Sequence, residues 1–145
     1  MVSGKVLFET KVAPQEGSPY LATKGKKVQL LLTTEEIRFN DPKWTFAIPL
    51  HRIFNCIAKP LPVKRVIAGT FSAPSVVEIM NNCLVIEYLD EHGQKSSMLS
   101  VFAQHVFIKS NIVDTIRFNE AIDKYHLREK LIQELENDSA QGQPN

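Results

Sequence analysis

The chain has no apolar run near the ~20 residues that a membrane span needs. Its first residues, MVSGKVLFETKV, lack the apolar segment of a secretory signal. Cysteine is scarce: Cys56 and Cys83 are the only two in 145 residues, with no C-x-x-C spacing and no paired histidines nearby. That argues against a disulfide framework and against a zinc site, and leaves two small buried apolar residues in a reducing compartment. An excess of either charge is also missing. Seventeen basic residues face sixteen acidic ones, for a net charge of +1, so bulk attraction to nucleic acid or membrane does not organise this protein. No basic stripe with interleaved aromatics is present, and no nucleic-acid partner is expected. These absences point to a cytoplasmic protein, with peripheral membrane contact left open.

The usual signatures of catalysis are missing too. His51, His92, His105 and His126 are far apart and have no metal-ligand spacing, and there is no G-x-S-x-G motif. His51 and Cys56 are five positions apart, which on an extended strand points them to opposite faces. The carboxylate pairs Glu35-Glu36 and Asp90-Glu91 fall at turns, where water keeps them ordinary. No catalytic residue, metal or cofactor is predicted. Asn137-Asp138-Ser139 matches a glycosylation sequon, which without a secretory signal reads as chance.

What is there is alternation. The hydrophobic fraction of 43% and charged fraction of 23% are ordinary for one globular domain. A chain of this length buries roughly 68–70% of its unfolded surface, enough for a core without staples. Val28 to Leu50 reads as three short strands in a row. Val28, Leu30 and Leu32 alternate in the first; Ile37 and Phe39 in the second; Trp44, Phe46 and Ile48 in the third. Thr33-Thr34 and Asn40-Asp41-Pro42 turn one into the next. Before them, Lys5–Val12 is a candidate first strand, followed by a Pro- and Gly-containing loop from Ala13 to Lys27. After them, Arg52–Leu61 reads as a strand stopped by Pro60 and Pro62. Val63–Ile67 reads as a short strand or a loop edge. Ser75–Met80 and Cys83–Leu89 are strand-like, with Asn81-Asn82 as a turn between them. Asp90–Gln94 is a Gly-containing hairpin loop returning into Lys95–Ala103, and Val106–Ile108 is strand-like.

From Asn111 the texture changes to NIVDTIRFNEAIDKYHLREKLIQELE, without Gly or Pro and rich in helix formers. Ser110 or Asn111 can cap it, and Asp114 suits its first turn. Ile112, Ile116, Phe118, Ala121, Ile122 and Tyr125 give a broad apolar face. Leu127, Leu131 and Leu135 continue it on a rotated one, with a break near Tyr125-His126 left open. The predicted organisation is a single domain over residues 1–136 and a disordered polar tail over 137–145. Strands followed by a helix make it α+β, mainly β: a bent seven-stranded antiparallel sheet capped by a long C-terminal helix.

Leu32-Thr33, then Ile37 and Phe39, then Phe46, Ile48, Pro49, Leu50 and Ile53, with the later CLVIEYL hairpin and the closing helix, form a phrase. In these residues the chain resembles pleckstrin-homology-like domains, closest to their GRAM and bacterial variants. The likeness spans Lys5 to Leu127, and Val28 to Ile53 carries its recognisable part. The resemblance implies a bent seven-stranded barrel or sandwich capped by a helix, and a binding role instead of a catalytic one. Ligands in the family include phosphoinositides, phospholipid surfaces, peptides and proteins. Its phosphoinositide binders carry a Lys-x(n)-Lys/Arg-x-Arg pattern, and here an uncharged residue in Val28-Gln29 takes the place of the last Arg.

Two basic groups are the candidate ligand-binding residues: Lys24, Lys26 and Lys27 on a Gly-containing loop, and Lys59, Lys64 and Arg65 around Pro60 and Pro62. Meeting at one end of the sheet they would hold an anionic ligand; apart, they keep the protein soluble and guard strand edges. Val66, Ile67 and Phe71, with their basic neighbours, suit either membrane insertion or packing on the sheet. Trp44, beside a turn, is a candidate partner anchor or a core residue. The first reading is therefore a protein-interaction module (an adaptor or scaffold), with a helix reaching Glu136 that would also serve self-association. The alternative is a peripheral module for anionic phospholipid or phosphoinositide.

Overall fold

The computed structural model of the chain describes residues 2–16, 26–67, 73–103 and 112–132. Among the described residues seven strands and one α-helix follow in order: β1 Val6–Glu16, β2 Val28–Thr33, β3 Glu36–Asp41, β4 Trp44–Pro49, β5 Ile53–Ile67, β6 Ser75–Leu89, β7 Lys95–Phe102 and α1 Ile112–Lys124. Short 3-10 turns cover Leu50–Arg52 and Leu127–Lys130. The strands form one antiparallel sheet in the order β4-β3-β2-β1-β7-β6-β5. The mainly β, α+β class is as expected. No helix among the described residues is long and apolar enough to cross a membrane.

β2, β3 and β4 fall where the alternation placed them, and each turn carries its own chemistry. The Thr33 hydroxyl accepts the N–H groups of Glu35 and Glu36 at 3.0 and 2.9 Å. The Asp41 carboxylate accepts the Lys43 N–H at 3.1 Å. These side-chain bonds stand in for the ladder where the chain reverses. At the β6–β7 turn, Asp90 accepts the N–H groups of His92 and Gln94, and Gly93 takes φ +74.

β1 is the corner of the sheet. Its first half pairs with β2 and its second half with β7, and Val12 pairs with both Val28 and Phe102. Five strand spacings separate β4 from β6, roughly 24 Å on a flat sheet, yet the Phe46 and Tyr88 rings lie 5.9 Å apart. The sheet therefore folds back on itself around one core. Among the described residues no ladder joins β4 to β5, so the sheet remains open along that seam.

α1 lies on the concave side. Phe118 is fully buried between Phe8 and Phe102, at 6.0 and 6.4 Å between ring centroids. The Thr10 hydroxyl donates to Asp114 at 2.7 Å, in the first turn of the helix. Phe118, Ala121 and Ile122 are buried, whereas Ile112, Ile116 and Tyr125 of the predicted apolar face are exposed. The helix ends at Lys124, at the break left open near Tyr125-His126 and short of the predicted reach to Glu136. His126 adopts a left-handed conformation (φ 54, ψ 37), and its N–H bonds to Asp123 O three residues back. The leucine pattern explains the stop. On a continuous helix Leu127 would sit about 140° from Ile122; the break swings Leu127 and Leu131 into the core. The main chain then returns to the sheet, where the Ile132 N–H donates to Ile53 O at 2.7 Å. Residues 133–136, on which self-association through a longer helix depended, lie outside the described residues, as do the predicted tail and the strand-like Val106–Ile108.

β5 corrects a second expectation. It runs through Pro60 and Pro62 as one 15-residue strand, and Asn81-Asn82, expected as a turn, lie inside a 15-residue β6. The Ala58 N–H points away from β6, to the Asn119 side chain at 3.2 Å. By alternation the nitrogens of Pro60 and Pro62 face the same free edge, where no ladder bond is lost.

Candidate interaction surfaces

The predicted basic residues that are described fall on the β2 and β5 sides of the sheet. Lys24 lies outside the described residues. Lys26 Nζ is 3.2 Å from Asp41 Oδ1, and Asp41 is held below the usual carboxylate range by the Lys43 N–H and then by Lys26. Lys27 is exposed just before β2. Lys59 is exposed on β5 and pairs with Cys83; Lys64 and Arg65 follow on the same strand, opposite Glu78 and Val77. Val28, next to Lys27, pairs with Val12, while Cys83 pairs with Val101. In strand order, β1, β7 and β6 lie between the strands that follow Lys27 and carry Lys59. Trp44 is half-buried and packs against the main core beside the β3–β4 turn.

No other strand flanks the far half of the β5–β6 hairpin among the described residues. β6 pairs with β7 from Leu89 to Cys83 and no further, while its pairing with β5 continues to Ser75 opposite Ile67. Pro60, Pro62, Val76 and Met80 share one face of this two-stranded ribbon by register. Val76 and Met80 are 65% and 63% exposed. The other face carries a small cluster of Val63, Cys83 and Val101 with Leu61 and Leu99. Sequence reasoning missed the ribbon because it read the prolines as stops. The available signal was their spacing: two prolines two positions apart on an alternating strand mark one free edge.

A groove of about 420 Å³ opens at the seam of the sheet. β4 forms one wall, from Thr45 to Ile48, and Tyr88, Ser96 and the β6–β7 turn form the other, with Arg52 between. Arg52 Nε donates to Leu89 O at 3.0 Å. The Asp90 carboxyl is held low by the N–H groups of Gln94 and His92. Burial pushes the Tyr88 phenol up, as does the nearby Asp90 charge.

His51, His92 and His126 are exposed, and His105 lies outside the described residues. No group of three or more metal-ligating side chains gathers among the described residues. Cys56 and Cys83 are buried free thiols, and burial pushes Cys56 up to about 11. A thiol so placed is neutral at physiological pH and is a poor nucleophile. Compared with protein-family models, with curated proteins and with solved structures, the chain matches none.

Proposed function

We propose that this chain is a binding module of the pleckstrin-homology-like kind, acting as an adaptor whose partner is a protein. The observation that carries the reading is the exposed face of the β5–β6 ribbon, where Val76, Met80, Pro60 and Pro62 share one side with the Lys64–Glu78 pair. A lone two-stranded ribbon is marginal in water, and here Val76 and Met80 stand exposed on either side of the Lys64–Glu78 pair, the mixed apolar and charged texture of a contact surface. Pro60 and Pro62 remove edge donors, which favours side-chain docking over strand addition there. The bent sheet, its covering helix and the three-strand phrase of Val28–Leu50 support the family likeness.

A second reading, an anionic lipid surface, is favoured by exposed Lys59 on the same ribbon. Affinity capture run in parallel with the wild type and with the pair Val76→Ser, Met80→Ser identifies ribbon-dependent partners. Each is then purified and titrated directly. The protein reading expects about a tenfold or greater loss of affinity in the double variant at unchanged thermal stability. Flotation of the wild type with phosphatidylserine vesicles at low salt, abolished by Lys59→Glu, would replace it with the lipid reading.

A further inference from the structure

Among the described residues β4 is an edge strand, with one row of main-chain groups turned away from β3. Its turn has two residues, Pro42 and Lys43, between the paired Asp41 and Trp44. That fixes the alternation: Trp44, Phe46 and Ile48 turn their main-chain groups to β3, and Thr45, Ala47 and Pro49 turn theirs outward. Pro49, which has no N–H, falls in the outward set. Among the described residues no strand meets this edge. The outward N–H and C=O groups of Thr45 and Ala47 therefore open on the 420 Å³ groove.

The groove has an aromatic pair and a signed rim. Phe46 of one wall and Tyr88 of the other bring their rings to 5.9 Å between centroids. Asp90, Glu91, His92 and Arg52 line the rim, and Arg52 Nε is engaged by Leu89 O. Two carboxylates against one guanidinium leave an acidic rim, and the wall spans four residues of β4, about 13 Å of extended chain. Residues 133–145 of this chain carry three acidic side chains and no basic one, so their charge opposes this site.

We propose that the seam between β4 and the β6–β7 turn binds an extended basic peptide segment of a partner protein. The segment adds as a strand to β4 at Thr45 and Ala47. It sets an apolar side chain over Phe46 and Tyr88, and a lysine or arginine beside Asp90 and Glu91. Main-chain bonds supply the pairing, and the alternate side chains supply the selection. The site is separate from the β5–β6 ribbon, and Val76→Ser with Met80→Ser leaves it intact.

The test uses the full chain and a short capped peptide of alternating valine and lysine. Nuclear magnetic resonance titration is expected to shift the Thr45, Ala47 and Ser96 amides, and hydrogen exchange at Thr45 and Ala47 slows at saturation. The glutamate-for-lysine peptide binds about tenfold or more weakly. The valine–lysine peptide with alternate amides N-methylated does not bind. Glu91→Lys reverses the preference between the two charged peptides. Ala47→Pro removes an outward donor without touching the β3 ladder and abolishes binding; the N-methylated peptide asks the same question should that variant fail to fold. The proposal is overturned by any of three results: no binding at millimolar peptide, equal affinity for both charges, or protection of the Thr45 and Ala47 amides already present in the free chain.

Discussion

Asn119 shows how one side chain can close a sheet edge. Its Nδ2 donates to Ala58 O at 2.8 Å and its Oδ1 accepts the Ala58 N–H at 3.2 Å. That amide does for β5 what a neighbouring strand would do, at the point where α1 passes. Asn119→Ala leaves both main-chain groups of a buried residue unsatisfied, at a cost of about 1–3 kcal/mol. Urea denaturation monitored by circular dichroism reads the loss, and an unchanged midpoint would mean that water serves Ala58 equally well. Cys56 makes a second statement at this scale. Its thiol ionises near 9.0 in the unfolded chain and near 11 in the fold. The neutral thiol is what the core holds, so this contribution to stability is intact below pH 9.0 and falls as pH rises toward 11. Each pH unit in that window removes about 1.4 kcal/mol. Denaturation across pH 8–11 is therefore expected to fall less steeply for Cys56→Ala than for the wild type. Parallel curves would show that the thiol titrates alike in both states.

The elements differ in how far the sequence announced them. β2, β3 and β4 were legible because Thr33 and Asp41 carry their turns locally, within two or three residues. β5 was not, because a proline means one thing in the middle of a sheet and another at its edge, and position in a sheet is a long-range property. The helix end could be left open but not fixed for a related reason: His126, not a glycine, takes the left-handed turn, and only the angular offset of Leu127 from Ile122 signalled it. The basic residues could be found as residues, but the strands they fall on, and the order of those strands, depend on pairings across the whole chain. The same holds for the groove, whose lining runs from Thr45 to Ser96. The proline argument can be checked by moving a proline one position. Leu61→Pro places the missing donor on the β6 side, opposite Asn81, and costs about 1–3 kcal/mol of ladder bonding. Pro62→Ala changes stability by less than about 1 kcal/mol. Amide exchange at Ile79 and Asn81 accelerates in the first variant and not in the second. Equal effects would mean that the free edge of β5 has been assigned to the wrong side.

At the scale of the whole molecule, the two halves of the sheet share one core. β1 changes partners at Val12, Phe46 of β4 reaches Tyr88 of β6, and Phe118 of α1 touches Phe8 and Phe102. A core spanning the corner should melt as one unit, even though the seam between β4 and β5 carries no ladder. Phe118 is fully buried, and Phe118→Ala costs about 3–5 kcal/mol, a large share of the 5–15 kcal/mol that holds an ordinary domain. Two probes report on opposite sides of the corner: fluorescence of Trp44, the sole tryptophan, on β4, and thiol labelling of buried Cys83 on β6. Their urea midpoints coincide in the wild type, and Phe118→Ala lowers both together by about 2 M. Phe118→Leu falls between. If the Trp44 transition kept its wild-type midpoint while Cys83 became reactive, the β1–β4 half would have a core of its own. α1 would then be a cover for the β5–β7 half alone.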